Sequence, residues 1–197
     1  RGAGNLLGTG QSGHVEAVGY DLYVQIVNEA IAELNGNAVE EAPQEVTEEL
    51  PVAANLPSEY IEREDLRMDA YRRLAAVTEP HQVDEMAAEW ADRFGPVPER
   101  AAALLEVARV RAECVRTGVT EVTVNRAPTL SGGGLVARLV PLRLAASKQM
   151  RLERLYRGAV YKEAIGELQL PVPPGEEPAA FVAEALRQLV PPPEAAA

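Results

Sequence analysis

The sequence is short of the residues from which covalent cross-links and metal sites are built. Its 197 residues include one cysteine and two histidines. Cys114 has no second cysteine with which to form an internal disulfide, and three such side chains are too few for a usual zinc site. The apolar neighbours of Cys114 at helical spacing favour a buried, unreactive thiol. We therefore expect no metal, and we predict the reducing cytoplasm as the localisation.

Motifs of the common enzyme classes are also missing. No lysine precedes Lys148, which excludes a phosphate-binding P-loop before that residue, and no GxSxG, HExxH or CxxC sequence occurs. Neither His14 nor His81 has a neighbour in sequence that would make it a general base. Adjacent acids such as Glu48 and Glu49 would point to different sides of a helix rather than form a catalytic dyad. We predict no catalytic residue and no cofactor in this chain.

Long apolar runs are absent as well. No stretch approaches the roughly 18 apolar residues that cross a membrane, and no charged and apolar leader is present, so we expect no membrane partner. The apolar content of 47% is nevertheless ample for a hydrophobic core. Because the sequence begins with Arg1 rather than methionine, we expect a soluble fragment of a longer protein.

Positive charge is scarce at the start of the chain. The net charge is −11, and the first 50 residues carry one basic and nine acidic side chains. Affinity for duplex DNA depends on lysine and arginine displacing condensed counterions. The overall field of this chain therefore opposes nucleic-acid binding, and a DNA-binding surface would have to be supplied elsewhere.

What the beginning of the chain does contain is glycine. Six of the first 19 residues are glycines, which is too many for a packed helix or strand. Apolar residues then recur at three- and four-residue steps from Tyr20 to Leu34, and Gly36 follows as a stop. Residues 1–35 are predicted to be a glycine-rich loop followed by an amphipathic helix.

Two further units follow. Residues 36–49 are acidic and almost free of large apolar side chains, which predicts a linker. Residues 50–197 show periodicities that predict helices first and a small sheet afterwards, hence an α+β domain. The predicted helices span residues 63–77, 80–94, 98–117, 145–156 and 176–190. The predicted strands lie in 120–124 and 135–144, with a turn at 128–134 between them, and one or two more lie in 160–172.

A basic stretch interrupts this acidic sequence. Six cations and one acid lie between residues 143 and 162. A solvated face, a docking surface for an acidic protein domain and, last, a nucleic-acid contact are the alternatives for such a patch. We take it as the candidate protein-interaction patch. Its residues are Arg143, Lys148, Arg151, Arg154, Arg157 and Lys162.

The glycine-rich loop has the spacing RGxGxxxGxxQSG. This spacing resembles the translocation motif that follows the motor in two bacterial families, the transcription-repair coupling factors and the fork-reversal DNA helicases. The sequence 19–23 and the looser matches at 71–74 and 92–98 are similar to the coupling factors, and the resemblance extends to about residue 118. The fixed positions of the motif are filled by Arg1, Gly2, Gly4, Gly8, Gln11, Ser12 and Gly13.

The resemblance implies a parent protein that is a superfamily 2, ATP-dependent translocase on double-stranded DNA, with ATP and Mg²⁺ bound in the parent. Such a protein displaces stalled RNA polymerase and recruits nucleotide excision repair through excinuclease A. In the family, the loop around Arg1 and Gln11 couples the motor to movement. The terminal domain, here residues 50–197, acts as an autoinhibitory clamp on the N-terminal repair-homology region of the same protein.

Two alternatives stay open. The chain could be a stand-alone, non-enzymatic adaptor that binds a protein through the basic patch. It could also be the end of a fork-reversal DNA helicase, a hypothesis that the long domain after Gly36 weakens. An upstream motor with a P-loop lysine would separate the first alternative from the translocase hypothesis.

Overall fold

The computed structural model describes residues 46–127 and 134–192. In these ranges the chain forms five helices and five strands. The helices are α1 (Glu64–Ala75), α2 (Pro80–Phe94), α3 (Glu99–Thr117), α4 (Ala146–Leu155) and α5 (Pro178–Leu189). The strands are β1 (Thr47–Glu49), β2 (Glu121–Arg126), β3 (Leu135–Val140), β4 (Val160–Lys162) and β5 (Glu167–Pro171). The α+β prediction is confirmed.

The strands form one mixed sheet in the order β1-β2-β3-β5-β4. β1 runs parallel to β2, and the other neighbours are antiparallel. One row across the sheet consists of Val122, Leu139 and Leu168, which are paired in register and fully buried. Because side chains alternate between the two faces of a strand, this register turns one apolar face towards the helices and leaves a polar face outside.

The helices cover the apolar face around α3. This helix contacts α1, α2 and α5, and α4 in turn contacts α5. Trp90, at the middle of the apolar stripe of α2, is 1% exposed and lies in the core. Cys114 of α3 is buried, as its apolar neighbours predict.

The helix boundaries follow local sequence signals. At the start of α2, Glu79 and Gln82 form a reciprocal capping box, and Pro80 occupies the first turn, where its missing N–H is not needed. Gly95 ends α2 and Gly118 ends α3, with φ angles of 90° and 79°. A residue with a Cβ rarely adopts such angles, so glycine suits both helix ends.

One strand prediction needed adjustment. Strand β3 ends at Val140 rather than at residue 144, because Pro141 follows and has no N–H for the ladder. The apolar stretch 160–172, predicted to supply one or two strands, forms two, β4 and β5, joined by a turn that ends at Gly166. The predicted turn at 128–134 lies almost entirely outside the described residues.

The prediction of a linker through residue 49 is wrong at its end. Thr47–Glu49 is β1, which pairs in parallel with Glu121–Thr123 of β2. Parallel pairing uses backbone groups and so tolerates acidic side chains, while Val46 and Leu50 are both buried and anchor the two ends of the strand. The domain therefore begins by Val46.

Candidate functional site

The basic residues of the predicted patch are distributed over one helix and the segments around it. Three of them lie on α4, one lies between β3 and α4, one follows α4, and one is on β4. In chain order they are Arg143, Lys148, Arg151, Arg154, Arg157 and Lys162. Because α4 ends at Leu155, Arg157 lies beyond the helix that carries Arg151 and Arg154.

Part of this patch is engaged inside the domain. Lys162 Nζ lies 2.6 Å from Glu167 Oε1. Arg143 donates from Nη1 to the Glu163 carbonyl at 3.1 Å. Arg151 is half-buried, and its Nε is shielded from solvent. These three cations therefore contribute to the local structure.

Two other cations of the patch face solvent. Arg154, on the last turn of α4, and Arg157, just after the helix, are both exposed. Lys148 is half-buried near the start of the same helix. Arg154 and Arg157 are thus the patch residues best placed to meet a partner.

Glu167 organises a charge network on the outer face of the sheet. Besides Lys162, its carboxylate accepts hydrogen bonds from Arg138 Nε at 2.8 Å and Gln169 Nε2 at 2.8 Å. Arg138 also pairs with Glu121 on β2. Hydrogen bonds from Lys162 and Arg138, the largest causes, hold the pKa of Glu167 at about 2. The network ties four strands together.

Apolar side chains accompany the exposed arginines. The large hydrophobic residues that stand exposed in the described part of the chain all fall between residues 150 and 165. Sequence reasoning missed them, although one signal was available: Met150 lies four residues before Arg154, on the polar side of α4 rather than with the buried Leu152. Their exposed fractions are Met150 72%, Leu155 42%, Val160 48% and Ile165 57%.

Both ends of this region are fastened to the rest of the domain. The Tyr161 hydroxyl donates to the Leu142 carbonyl and accepts from the Leu144 N–H, each at 3.0 Å, which joins β4 to the start of α4. Beyond the other end of α4, Tyr156 donates to Gln188 Oε1 at 3.0 Å. These bonds hold β4 to the segment that leads into α4, and they hold the residue after α4 to α5. We call the exposed large apolar residues and arginines between 150 and 165 the α4–β4 surface; they are Met150, Arg154, Leu155, Arg157, Val160 and Ile165.

A groove of about 1080 Å³ lies elsewhere, between α2, α3 and α5. The arginines that line it are paired within it: Arg109 Nη2 is 2.8 Å from Asp84 Oδ1, and Arg116 Nη2 is 2.5 Å from Glu113 Oε2. Arg187 likewise pairs with Glu184, one turn earlier on α5. Mutual pairing of these charges is typical of a structural groove.

One pair of ionisable groups, Glu48 and Arg111, lies at the β1 edge of the sheet. Glu48 of β1 is level with Val122, so its side chain faces the helices, where Arg111 is buried. Burial raises the pKa of Glu48 to about 8, against the attraction of Arg111. Burial also raises the pKa of the Cys114 thiol, and the negative charge of an ionised Glu48 raises it further. A thiol kept protonated in this way is a poor nucleophile.

The remaining predicted site residues lie outside the described part of the chain. They are the motif positions Arg1, Gly2, Gly4, Gly8, Gln11 and Gly13. Within residues 46–127 and 134–192, no group of three or more histidine, cysteine or acidic residues is arranged to hold a metal ion. The helices of the same ranges include none that is both long and apolar enough to cross a membrane.

Comparison with known proteins gives one consistent family. The TRCF domain model matches residues 50–130. A transcription-repair-coupling factor from Mycobacterium bovis is 44% identical over 183 residues, covering 88% of this chain and 14% of the relative. One from Staphylococcus haemolyticus is 41% identical over 122 residues, covering 61% of this chain and 10% of the relative. The chain thus spans a small part of these relatives.

A solved structure supports the fold. The crystal structure of the C-terminal domain of a transcription-repair coupling factor aligns with a TM-score of 0.57 at 19% identity, covering 74% of this chain and 93% of that chain. At this identity the likeness concerns the fold. The chain belongs to the transcription-repair coupling factor family, and its described part has the fold of the C-terminal domain.

Proposed function

We propose that this chain is the C-terminal regulatory part of an ATP-dependent translocase on double-stranded DNA, a protein that displaces stalled RNA polymerase and recruits nucleotide excision repair. In this proposal ATP and Mg²⁺ bind the motor of the parent. The domain that begins at Val46 binds protein and hydrolyses nothing. Its family membership supports the parent's activity, and its surface supports the role in protein binding.

The observation that carries the protein-binding role is the composition of the α4–β4 surface. Soluble domains seldom gather their exposed large apolar side chains in one segment, and such gatherings mark interaction sites. Here Met150 and Ile165 are more than half exposed, and Arg154 and Arg157, in the same segment of the chain, are exposed as well. Apolar area provides binding free energy, and the guanidinium groups provide selectivity for an acidic partner.

The proposed regulation is a two-state equilibrium. In the resting parent, the domain rests on the N-terminal repair-homology region and covers a surface that excinuclease A would use. RNA polymerase or another partner shifts the parent to the open state only if it binds that state more tightly. A moderate contact suits this role, because a clamp that binds too tightly could not be released.

Calorimetric titration of this chain with the separately produced N-terminal repair-homology region tests the clamp. We expect binding that weakens when Arg154 and Arg157 are changed to glutamate. Duplex DNA serves as a parallel titrant, and DNA binding with a steep salt dependence in the absence of protein binding would contradict the proposal.

Truncation of the full-length parent gives a second test. The deletion should begin at Val46, because β1 belongs to the sheet. We expect higher ATPase activity and higher DNA affinity than in the intact parent. Unchanged values would show that the domain does not inhibit the motor.

The motif residues have a separate proposed role. Arg1 and Gln11 would transmit the ATP-driven closure of the motor to its grip on DNA, as their match to the translocation motif suggests. In the full-length parent, Arg1→Ala or Gln11→Ala should leave ATP hydrolysis largely intact while abolishing movement on DNA. Equal loss of both activities would remove the coupling role.

A further inference from the structure

The α4–β4 surface combines two kinds of group that need different partners. Its apolar members, Met150, Leu155, Val160 and Ile165, are 42% to 72% exposed. A partner that covers them must itself be apolar, since the gain comes from removing both surfaces from water. The flexible thioether of Met150 adapts to partners of differing shape.

The charged members call for carboxylates. Arg154 and Arg157 are exposed, and the acids of the surrounding segment 143–166 number two, Glu153 and Glu163. The whole chain is strongly acidic, with a net charge of −11, so the positive potential of this surface is confined to short range. Selectivity must therefore come from direct pairing, for which a guanidinium group matches a carboxylate through two parallel hydrogen bonds.

The geometry of the sheet edge restricts how a partner can dock. β4 is the outermost strand on this side, but it is three residues long. A short edge strand that carries a lysine, here Lys162, is a poor template for adding another strand. Side-chain contacts with α4 and β4 then carry the recognition.

We propose that the α4–β4 surface binds an acidic protein segment that carries apolar side chains among its carboxylates. This inference deepens the proposed regulatory function, on which it rests for its biological setting. The phosphates of duplex DNA would pair with the arginines. The phosphate backbone, however, has no apolar area with which to cover Met150 and Ile165. A neutral apolar peptide would cover the hydrophobic side chains and leave Arg154 and Arg157 without carboxylates.

Three synthetic 20-residue peptides test the chemistry. The first peptide has leucines on one face of an amphipathic helix and glutamates on the other. The second replaces glutamate by glutamine, and the third replaces leucine by serine. Measured by fluorescence anisotropy with the whole chain, the first peptide should bind at least about tenfold more tightly than either of the others. Equal affinity for the first and second peptides would overturn the role of the arginines, and equal affinity for the first and third would overturn the apolar role.

Variants of the chain locate the binding. Arg154→Glu and Met150→Ser should each lower affinity for the first peptide by about three- to tenfold. Arg72→Glu on α1 is the matched control, since Arg72 is exposed and lies outside the surface. Circular dichroism verifies that each variant folds. Binding that falls equally in the Arg154 and Arg72 variants would reflect overall charge, and it would overturn the proposed site.

The lysine content supplies an independent reporter of position. Lys148 and Lys162 are the only lysines in the sequence, and both lie in the basic stretch. Carbodiimide joins amines directly to carboxylates, so amide cross-links from the peptide should map to Lys148, with Lys148→Arg as the control. Cross-links confined to the N-terminal amine would contradict docking here.

Two combinations of results separate this surface chemistry from the regulatory function. Peptide binding at the surface together with no affinity for the N-terminal repair-homology region would support the surface and reject the clamp. Binding of that region without selective peptide binding would support the clamp and reject this surface chemistry.

Discussion

Glutamine in place of Glu48 should change how the stability of the domain depends on pH. Glu48 lies on edge strand β1, faces the helices at the level of Val122, and opposes the buried Arg111. Its pKa is raised from 4.5 to about 8, mainly by burial. Between these two values the folded protein keeps a proton that the unfolded chain has released. The free energy of unfolding therefore falls as pH rises from 4.5 to 8, and it stays level above that.

The magnitude follows from the size of the pKa shift. Each pKa unit is worth about 1.4 kcal/mol, so the full shift corresponds to an upper limit of about 4–5 kcal/mol. Although Glu48 Oε1 is shielded, the residue as a whole is partly exposed, and water reduces the cost. We expect a loss of about 2–3 kcal/mol across the window, which Glu48→Gln should largely abolish because glutamine does not ionise.

Urea unfolding at pH 5 and at pH 8.5 measures this effect. The quantity compared is the free energy of unfolding of the Glu48→Gln variant minus that of the unsubstituted chain. This difference should be about 2–3 kcal/mol higher at pH 8.5 than at pH 5. Glu49→Gln is the control, since Glu49 is the exposed neighbour on the same strand. If the unfolding free energies of the Glu48 variant and of the unsubstituted chain changed in parallel with pH, the shielded, protonated state of Glu48 would be refuted.

Three further substitutions test the packing. Trp90→Ala should cost about 3–5 kcal/mol in denaturant unfolding, and a loss below about 1 kcal/mol would contradict a core position. Gly166→Ala should cost about 1–2 kcal/mol more than Gly175→Ala. Both glycines have positive φ, but of the two only Gly166 would place the new Cβ 3.1 Å from a backbone oxygen. Equal losses of stability would exclude that clash. Glu167→Gln should destabilise at pH 7 with a difference that vanishes as pH falls from 4.5 through about 2, since Glu167 has a depressed pKa. A difference independent of pH would argue against the network around Glu167.

The helices were predictable because their signals are local. The apolar stripe through Trp90 and the stops at Gly95 and Gly118 depend on residues within a few positions of each other. The strand β1 was not predictable in this way. Its sequence, TEE, has no strand signature, and it becomes a strand because a backbone edge of β2, more than 70 residues later, is there to pair with it.

The candidate surface was predictable in charge but not in shape. Counting cations from Arg143 to Lys162 located the region, yet Lys162 is bound to Glu167 and Arg151 is half-buried. Which cations are held by partners within the domain depends on pairing across strands, to which sequence proximity is no guide. The same applies to Val160 and Ile165, whose exposure reflects their places in the edge strand and in the turn after it rather than their residue type.

Glu48 and the α4–β4 surface lie at opposite edges of one sheet. β1 is at one edge and β4 at the other, four strand spacings apart, which is about 19 Å. Substitutions at such a distance with no shared partners are expected to act additively. Glu48→Gln should therefore change the pH dependence of stability without changing peptide affinity, and Arg154→Glu should do the reverse. The double variant should show both effects unchanged in size. If Glu48→Gln instead altered peptide affinity, the edge at β1 would be coupled to the α4–β4 surface, and the sheet would transmit between the two edges rather than merely hold them apart.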